Sequence, residues 1–143
     1  MKNLNGKVIA LTGAGSGIGR CLAIQLSQHG SHLSLSDVDA AGLKETKELL
    51  SQDIVVSSHI VDVANREQVY AWAENTIKDH GHVDCIINNA GVASTASIEE
   101  IRYEDFNWVF NIVFYGVLYG TKAFLPHLKQ RSDAHIVNIS SVN

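Results

Sequence analysis

The sequence predicts an α/β fold, a doubly wound parallel sheet of about five strands with helices on both faces. Apolar runs rich in β-branched residues alternate with longer segments whose apolar residues recur every three or four positions. The runs are mostly apolar on both sides of the strand, as in Val83-Asp84-Cys85-Ile86-Ile87. This pattern is typical of parallel strands that helices cover on both faces. Right-handed crossovers between such strands then fix the winding of the chain.

The predicted elements alternate along a chain that shows no repeat and no low-complexity tract, which indicates one domain over residues 1–143. The strands are the apolar, β-branched runs at Lys7–Thr12, His32–Ser36, Ile54–Val61, Val83–Asn88 and His135–Ser140. The helices are the segments with helical spacing at Gly17–His29, Ala40–Ser51, Arg66–His80 and Tyr103–Arg131, with a shorter one near Ala96–Glu100.

The composition is that of a folded globular protein, with 45% hydrophobic and 18% charged residues. A net charge of −4 and the lack of a long Lys or Arg run argue against nucleic acid or anionic membrane surfaces as partners. The uncharged stretch from Phe106 to Thr121 falls short of about 20 apolar residues, so we expect a buried helix there and no membrane span. Two cysteines and a start without a signal-peptide stretch favour a cytoplasmic setting.

A glycine-rich loop joins the first predicted strand to the first predicted helix. There, unpaired backbone N–H groups and the positive end of a helix dipole can bind a diphosphate, and glycines let the backbone turn tightly and approach the phosphate oxygens. We therefore predict a dinucleotide site that includes the loop residues Gly13, Gly15, Ser16, Gly17, Ile18 and Gly19.

Asp37 closes the second predicted strand, eighteen residues after Gly19. A carboxylate at this place can accept hydrogen bonds from both hydroxyls of the adenosine ribose, whereas a 2′-phosphate would meet a like charge. Neither Ser16 in the loop nor Val38 after the aspartate offers a cation for that phosphate. The sequence therefore predicts NAD in preference to NADP.

The histidines and cysteines give no sign of a metal site. The sequence has seven histidines, but none forms an i, i+4 pair with another or joins a cysteine cluster. We predict that the chain binds no metal.

Further motifs follow the glycine loop in a fixed order. They are Asp62-Val63, Asn88-Asn89-Ala90-Gly91 and Ile136-Val137-Asn138-Ile139-Ser140-Ser141. With these motifs, the whole chain resembles the short-chain dehydrogenase/reductase family. The resemblance implies a Rossmann-like fold that is incomplete here, and a dinucleotide-binding domain over residues 1–143 that is truncated relative to the family.

The resemblance also implies roles for residues near the cofactor. By this likeness, Asp62 and Val63 contact the adenine, and Asn88 steadies the central sheet near Thr12. Asn89, Ala90 and Gly91 belong to the cofactor site, and the last two line the nicotinamide ribose, where small residues allow close approach of the backbone.

The catalytic residues of the family are matched only in part. Ser141 matches the catalytic serine, whose hydroxyl would bind the substrate oxygen. The Tyr-x-x-x-Lys motif that supplies the proton in the family is absent, because the sequence ends at Asn143 before the place where it would follow. Val113 stands where the family usually has a catalytic asparagine. Asn111, two residues earlier, would lie about 200° around a regular α-helix and could replace it only if the helix is locally distorted.

The function that the resemblance implies is hydride transfer between a nicotinamide cofactor and a small-molecule alcohol or ketone. We expect this chain to retain the cofactor-binding part and to be catalytically incomplete alone. Two alternatives remain open: a non-catalytic NAD-binding or regulatory protein, and a fragment without independent activity. In a full-length form, the helix predicted over residues 103–131 would contribute to a homo-oligomer interface.

Overall fold

The computed structural model describes residues 3–141 and contains one five-stranded parallel sheet. The strands are β1 (Val8–Thr12), β2 (His32–Asp37), β3 (Val56–Ile60), β4 (Cys85–Asn88) and β5 (His135–Asn138). Their order in the sheet is β3-β2-β1-β4-β5, and every neighbouring pair is parallel. The order reverses at β1, so a crevice opens between the carboxyl ends of β1 and β4.

The helices that connect these strands are α1 (Gly17–Gln28), α2 (Ala40–Glu48), α3 (Arg66–His80), α4 (Tyr103–Phe110) and α5 (Gly116–Leu128). Between α4 and α5, residues Asn111–Tyr115 form one turn of π-helix, hereafter the π segment. The predicted α/β fold with a doubly wound parallel sheet is confirmed.

Three details of the predicted elements are wrong. The fourth long helix is not a regular α-helix, because the π segment interrupts it at Asn111–Tyr115 and α5 already ends at Leu128. The short helix near Ala96–Glu100 is instead a set of turns, closed by a hydrogen bond from the Ile101 N–H to the Ser97 carbonyl. Several strands and helices are also shorter than predicted by one to three residues.

The hydrophobic core consists of two clusters, one on each face of the sheet. The first lies beneath α3 and α5, where Trp72 packs edge-on against Phe124 with ring centroids 4.8 Å apart. The second lies beneath α1 and α2 and includes Leu33 and Leu35 of β2. Strands β1 and β4 each contribute side chains to both clusters, as expected for parallel strands that are covered on two sides.

Two glycines of α5 allow this helix to lie close to the sheet. A Cβ atom at Gly116 would lie 2.9 Å from Cγ2 of Val63, and one at Gly120 would contact the Asn88 side-chain oxygen. That oxygen is buried and has no hydrogen-bond partner among the described residues. The close approach of α5 therefore places its backbone directly over the carboxyl end of β4.

A buried carboxylate fixes the opposite end of β4. The Val8 N–H donates to Asp84 Oδ2 over 2.9 Å, and Arg131 Nε donates to Oδ1 over 2.7 Å. Burial alone would raise the pKa of the Asp84 carboxyl, but these hydrogen bonds, together with the nearby charges of Arg131 and His82, outweigh burial and lower it. Asp84 thus connects β1, β4 and the chain after α5.

The segment from α4 to α5 exposes several large apolar side chains. An 18-residue stretch within Tyr103–Leu128 has a mean hydropathy of 1.2, so by length and composition this helix meets the criterion for crossing a membrane. Core helices of soluble proteins meet the same criterion. The expected burial of the stretch from Phe106 to Thr121 is wrong, because only Gly116 and Gly120 are buried within it, whereas Phe106, Trp108 and Phe110 are exposed. Buried apolar side chains of α5, Phe124 and Leu128, follow this stretch.

Replacing Gly120 with alanine tests the close approach of α5. We expect Gly120→Ala to lower the free energy of unfolding by about 1–3 kcal/mol, because the added methyl group would overlap the Asn88 side chain. Urea denaturation measures this change. Gly91→Ala is the matched control, since the nearest atom to its added Cβ is 3.8 Å away. Equal stabilities of the two variants would contradict the interpretation.

The acid dependence of stability tests the Asp84 contacts. We expect Asp84→Asn to lower the free energy of unfolding at neutral pH by about 1.5–3 kcal/mol, because hydrogen bonds to a buried charge are lost. The pKa of Asp84 is lower in the folded state, so its contribution is present above about pH 4 and disappears as the pH falls further.

Urea denaturation at several pH values measures the difference between the wild type and Asp84→Asn. We expect this difference to shrink below about pH 4. Asp53→Asn, at an exposed carboxylate in a turn, is the control and should be neutral across the range. A difference between the wild type and Asp84→Asn that stays constant down to acid pH would contradict the assignment.

Candidate dinucleotide-binding cleft

A cleft of about 390 Å³ lies at the carboxyl edge of the sheet, where the strand order reverses. It is lined by residues at the carboxyl end of β2, in the loops after β1, β2, β3 and β4 and in the first turn of α1, together with one residue of the π segment. They are Gly13, Ser16, Gly17, Ile18, Gly19, Asp37, Val38, Val61, Asp62, Val63, Asn89, Ala90, Gly91, Val92 and Ile112. The structure thus brings together eleven of the twelve predicted cofactor-site residues.

The floor of the cleft is the amino end of α1. Gly13 and Gly17 have φ angles of 66° and 51°, in the left-handed region that favours glycine. Ser16 precedes the helix in an extended conformation, and its side chain does not cap the helix. Among residues 3–141, the N–H groups of Ser16, Gly17 and Ile18 have no hydrogen-bond partner. Such N–H groups and the helix dipole suit a diphosphate.

Gly15 is the one predicted loop residue that does not line the cleft. It is buried, and its N–H donates to Asp37 Oδ2 over 2.8 Å. A Cβ atom at Gly15 would lie 2.9 Å from the Asp37 Cγ, so only glycine leaves space for this contact. The Asp39 N–H donates to the other carboxylate oxygen over 3.0 Å. Two backbone donors therefore hold Asp37 at the cleft.

Asp62 and Val63 lie beside Asp37 in the cleft lining. The Ala64 N–H donates to Asp62 Oδ1 over 2.9 Å. The backbone N–H of Asp62 donates to Gln68 Oε1 over 2.8 Å. These contacts place the carboxylate at the start of α3. Val63 is buried against Gly116 of α5, which fixes the position of the chain between β3 and α3.

The hydroxyl of Thr12 joins the two loops that form the centre of the cleft. Its oxygen accepts the N–H groups of Asn89 and Ala90, both over 2.9 Å. In return, the Asn89 side-chain amide donates to the carbonyls of Thr12 over 3.0 Å and Gly13 over 3.3 Å. The glycine loop and the Asn89-Ala90-Gly91 segment are therefore held as one unit.

Asn88 was expected to steady the central sheet near Thr12, but its side chain connects β4 with β5 and α5 instead. Successive strand residues point to opposite faces, and the Asn88 side chain points toward β5 and α5. Its amide donates to Asn138 Oδ1 over 2.9 Å and to Thr121 Oγ1 over 3.4 Å. The neighbouring Asn89 makes the contact with Thr12 instead.

Two side chains behind the glycine loop were missed in the sequence. Thr46 of α2 donates its hydroxyl to the Ala14 carbonyl over 2.8 Å, and Arg20 of α1 donates to the Gly15 carbonyl over 2.6 Å. Val61 and Ile112, which line the cleft, were also missed. No local pattern marks any of these four residues, because each acquires its contact only when the elements pack.

The two positions assigned to catalysis do not line the cleft. Ser141 is exposed and lies three residues after the end of β5, and its catalytic role stays a prediction. Val113 lies in the π segment and is 40% exposed. Because the segment is distorted, the 200° separation of Asn111 from Val113 in a regular α-helix does not hold here. Within residues 3–141, no three His, Cys, Asp or Glu side chains could together hold a metal ion.

Comparisons with known proteins agree with this geometry. A model of the family described as short chain dehydrogenase matches residues 7–143. The Mycobacterium tuberculosis protein named "Putative oxidoreductase SadH" is 45% identical over 143 residues, which cover 99% of this chain and 52% of that protein. Human 17-beta-hydroxysteroid dehydrogenase 13 is 32% identical over 142 residues, which cover 99% of this chain and 47% of that protein.

A solved structure provides the same match in three dimensions. It is a short chain dehydrogenase/reductase from Burkholderia phymatum in complex with NAD, with 38% sequence identity and a TM-score of 0.91. The match covers 96% of this chain and 50% of that one. The chain therefore spans about half the length of the relatives that it matches. Sequence, fold and cleft agree, and the chain belongs to the short-chain dehydrogenase/reductase family.

Proposed function

We propose that this chain is the dinucleotide-binding half of an NAD-preferring oxidoreductase that acts on a small alcohol or ketone. One observation carries the proposal: unpaired N–H groups at the start of α1 and the Asp37 carboxylate line the same cleft. The first can bind a diphosphate and the second a ribose. A nicotinamide cofactor contains both groups, and it supplies the hydride chemistry when bound.

The residues of the cleft fit such a cofactor from end to end. In the proposal, Asp62 and Val63 flank the adenine, while Ser16, Gly17 and Ile18 offer N–H groups to the diphosphate. In the proposal, Ala90 and Gly91, which also line the cleft, face the nicotinamide ribose, because residues this small leave the backbone accessible.

The preference for NAD over NADP rests on charge. The Asp37 carboxylate lines the cleft, and no Lys or Arg among residues 3–141 does so. The side chain of Arg20 does not line the cleft, because it is bound to the Gly15 carbonyl and to Glu45. A 2′-phosphate near Asp37 would meet a negative charge without a compensating cation. The NAD complex of the Burkholderia phymatum relative supports the same preference.

The proposed substrate is a small-molecule alcohol or ketone, whose oxygen would accept or donate a hydrogen bond at the Ser141 hydroxyl. This serine follows β5, so it lies at the same edge of the sheet as Asn89-Ala90-Gly91.

A cytoplasmic location is part of the proposal. It is supported by two free cysteines, of which Cys85 is buried and has its pKa raised to about 11 by burial.

A second candidate is a protein that binds NAD without turnover. The observation that favours it is Val113, an apolar side chain at the position where the family resemblance expects a catalytic asparagine. Valine has no hydrogen-bonding group in its side chain and cannot take part in proton transfer. Binding of NADH without any reduction of ketones or oxidation of alcohols would favour this candidate.

The proposal also includes a homo-oligomer formed through the exposed apolar face of α4 and the π segment. Phe106, Phe110 and Phe114 are stacked along this face, with adjacent ring centroids 6.1 and 4.9 Å apart. Trp108 is 51% exposed. Exposed aromatic clusters of this kind are typical of protein interfaces.

The choice between NAD and NADP can be tested at Asp37. We expect the wild type to bind NADH more tightly than NADPH, and Asp37→Ala to shift the ratio of the two dissociation constants toward NADPH by at least about tenfold. Titrations that follow reduced-nicotinamide fluorescence give both constants. Asp53→Ala, at an exposed carboxylate outside the cleft, is the control. A wild type that binds neither nucleotide would refute the proposed function.

The oligomer interface can be tested at Trp108. We expect the wild type to sediment as a dimer or larger species and Trp108→Glu to sediment as a monomer, because a charge would be buried in the interface. Analytical ultracentrifugation measures both. Tyr70→Glu, at an aromatic residue of α3 that is 41% exposed, should leave association unchanged. A monodisperse monomeric wild type would contradict this part of the proposal.

A further inference from the structure

Two successive peptide groups of the glycine loop have their carbonyl oxygens bound by side chains from outside the loop. The carbonyl of Ala14 accepts the Thr46 hydroxyl over 2.8 Å. The carbonyl of Gly15 accepts Arg20 Nη2 over 2.6 Å. Neither Arg20 nor Thr46 lines the cleft, so both oxygens are held by contacts outside it.

The direction of a carbonyl fixes the direction of the N–H in the same peptide group. No peptide bond in the described chain is cis, and in a planar trans peptide the C=O and N–H bonds point in opposite directions. When Arg20 binds the Gly15 carbonyl, the N–H of Ser16 therefore points away from Arg20. Ser16 lines the cleft, and its N–H has no partner among residues 3–141.

Glycine leaves the tilt of this peptide group weakly fixed on one side. Without a Cβ atom at Gly15, the ψ angle before the Gly15–Ser16 peptide has few steric limits, so Gly15 itself does little to hold the direction of the carbonyl. If the peptide tilted so that the Gly15 carbonyl oxygen turned toward the cleft, that oxygen would repel a bound diphosphate. A contact that holds this carbonyl away from the cleft therefore favours diphosphate binding.

Arg20 is placed to supply that contact and to connect it with α2. Its Nη2 also lies 2.9 Å from Glu45 Oε2 and 3.3 Å from the Gly42 carbonyl, while its Nε donates to Thr46 Oγ1 over 3.0 Å. Glu45 balances the charge of the guanidinium. The Thr46 hydroxyl accepts a hydrogen bond from Arg20 and donates one to the Ala14 carbonyl. Arg20 therefore holds the Gly15 carbonyl directly and the Ala14 carbonyl through Thr46.

We propose that Arg20 is a positioning residue for the dinucleotide, because its contacts with the Gly15 carbonyl and with α2 hold the Ser16 N–H toward the diphosphate. The inference rests on the proposed dinucleotide binding but concerns a residue outside the cleft. Since α2 follows Asp37 by only a few residues, the same guanidinium keeps the diphosphate and ribose parts of the cleft in a fixed relation.

Substitution of Arg20 tests the proposal directly. We expect Arg20→Ala to weaken NADH binding by at least about tenfold per folded molecule, as measured by fluorescence titration and corrected for the folded fraction from urea denaturation. Arg20→Lys keeps the charge, so its loss of NADH affinity should be smaller than that of Arg20→Ala. It cannot contact Thr46 and the Gly15 carbonyl together, so it should still bind NADH more weakly than the wild type. Arg66→Ala is the matched control, because this exposed arginine also pairs with a glutamate, Glu67, but lies on α3.

Two further measurements distinguish positioning from a loss of stability. Methylguanidinium added to Arg20→Ala should restore much of the NADH affinity and should not affect Arg66→Ala. Thr46→Ser retains a hydroxyl and should bind NADH like the wild type, whereas Thr46→Val keeps the shape but lacks the donor and should bind more weakly. A purely structural role would predict no rescue by methylguanidinium and similar effects for both Thr46 variants.

The outcomes separate this inference from the proposed function. If the wild type does not bind NADH, the proposed function fails first. If the wild type binds NADH and the folded Arg20→Ala binds it equally well, the positioning role of Arg20 is refuted while the proposed function stands. Weakened binding that methylguanidinium does not restore also refutes it.

Discussion

The carbonyl oxygens of four consecutive residues, Thr12 to Gly15, are bound by side chains from three different parts of the chain. This set of hydrogen bonds is the constraint on which the rest of the cleft depends. A buried carbonyl needs a partner, and a planar peptide that satisfies its carbonyl on one side offers its N–H on the other. The glycines permit the turn, but the side chains behind the loop decide which groups face the cleft.

The same constraint explains why distant segments assemble around one loop. Asn89 comes from the carboxyl end of β4, Arg20 from α1 and Thr46 from α2, and each forms its hydrogen bond only when the sheet and its helices have packed. The strand order, with β1 at the centre, brings all three within reach. Fold and site are therefore established by the same contacts, since loosening any one of these elements would free a loop carbonyl.

The sequence predicted those features that depend on local patterns. The strands, the loop from Gly13 to Gly19 and the carboxylate of Asp37 follow from periodicity, glycine spacing and the end of a strand. The five strands form with slightly different bounds, and the predicted loop residues except Gly15 line one cleft with Asp37. The sequence did not identify Arg20 and Thr46 as partners of the glycine loop. An arginine or a threonine on a helix with a polar face fits no local motif, so its role becomes visible only when the packed structure shows its partners.

Two other errors have a similar physical cause. Whether Asn88 or Asn89 faces the region of Thr12 depends on the alternation of side chains at the end of a strand, which a shift of one residue reverses. The π segment depends on how the helix from α4 to α5 fits over the sheet, and a helical pattern in the sequence does not distinguish a regular turn from one with an inserted residue.

The distribution of burial separates binding from chemistry within this chain. The hydrogen bonds that position Asp37 and the glycine loop join segments of this chain to one another, and β1, β2 and β4 are largely buried. By contrast, β5 and the serine that follows it are exposed, as is the π segment that carries Val113. A dinucleotide could thus be bound by contacts internal to the chain, whereas proton transfer needs groups that these contacts do not supply. Cofactor affinity is for this reason a sharper test of the proposal than turnover.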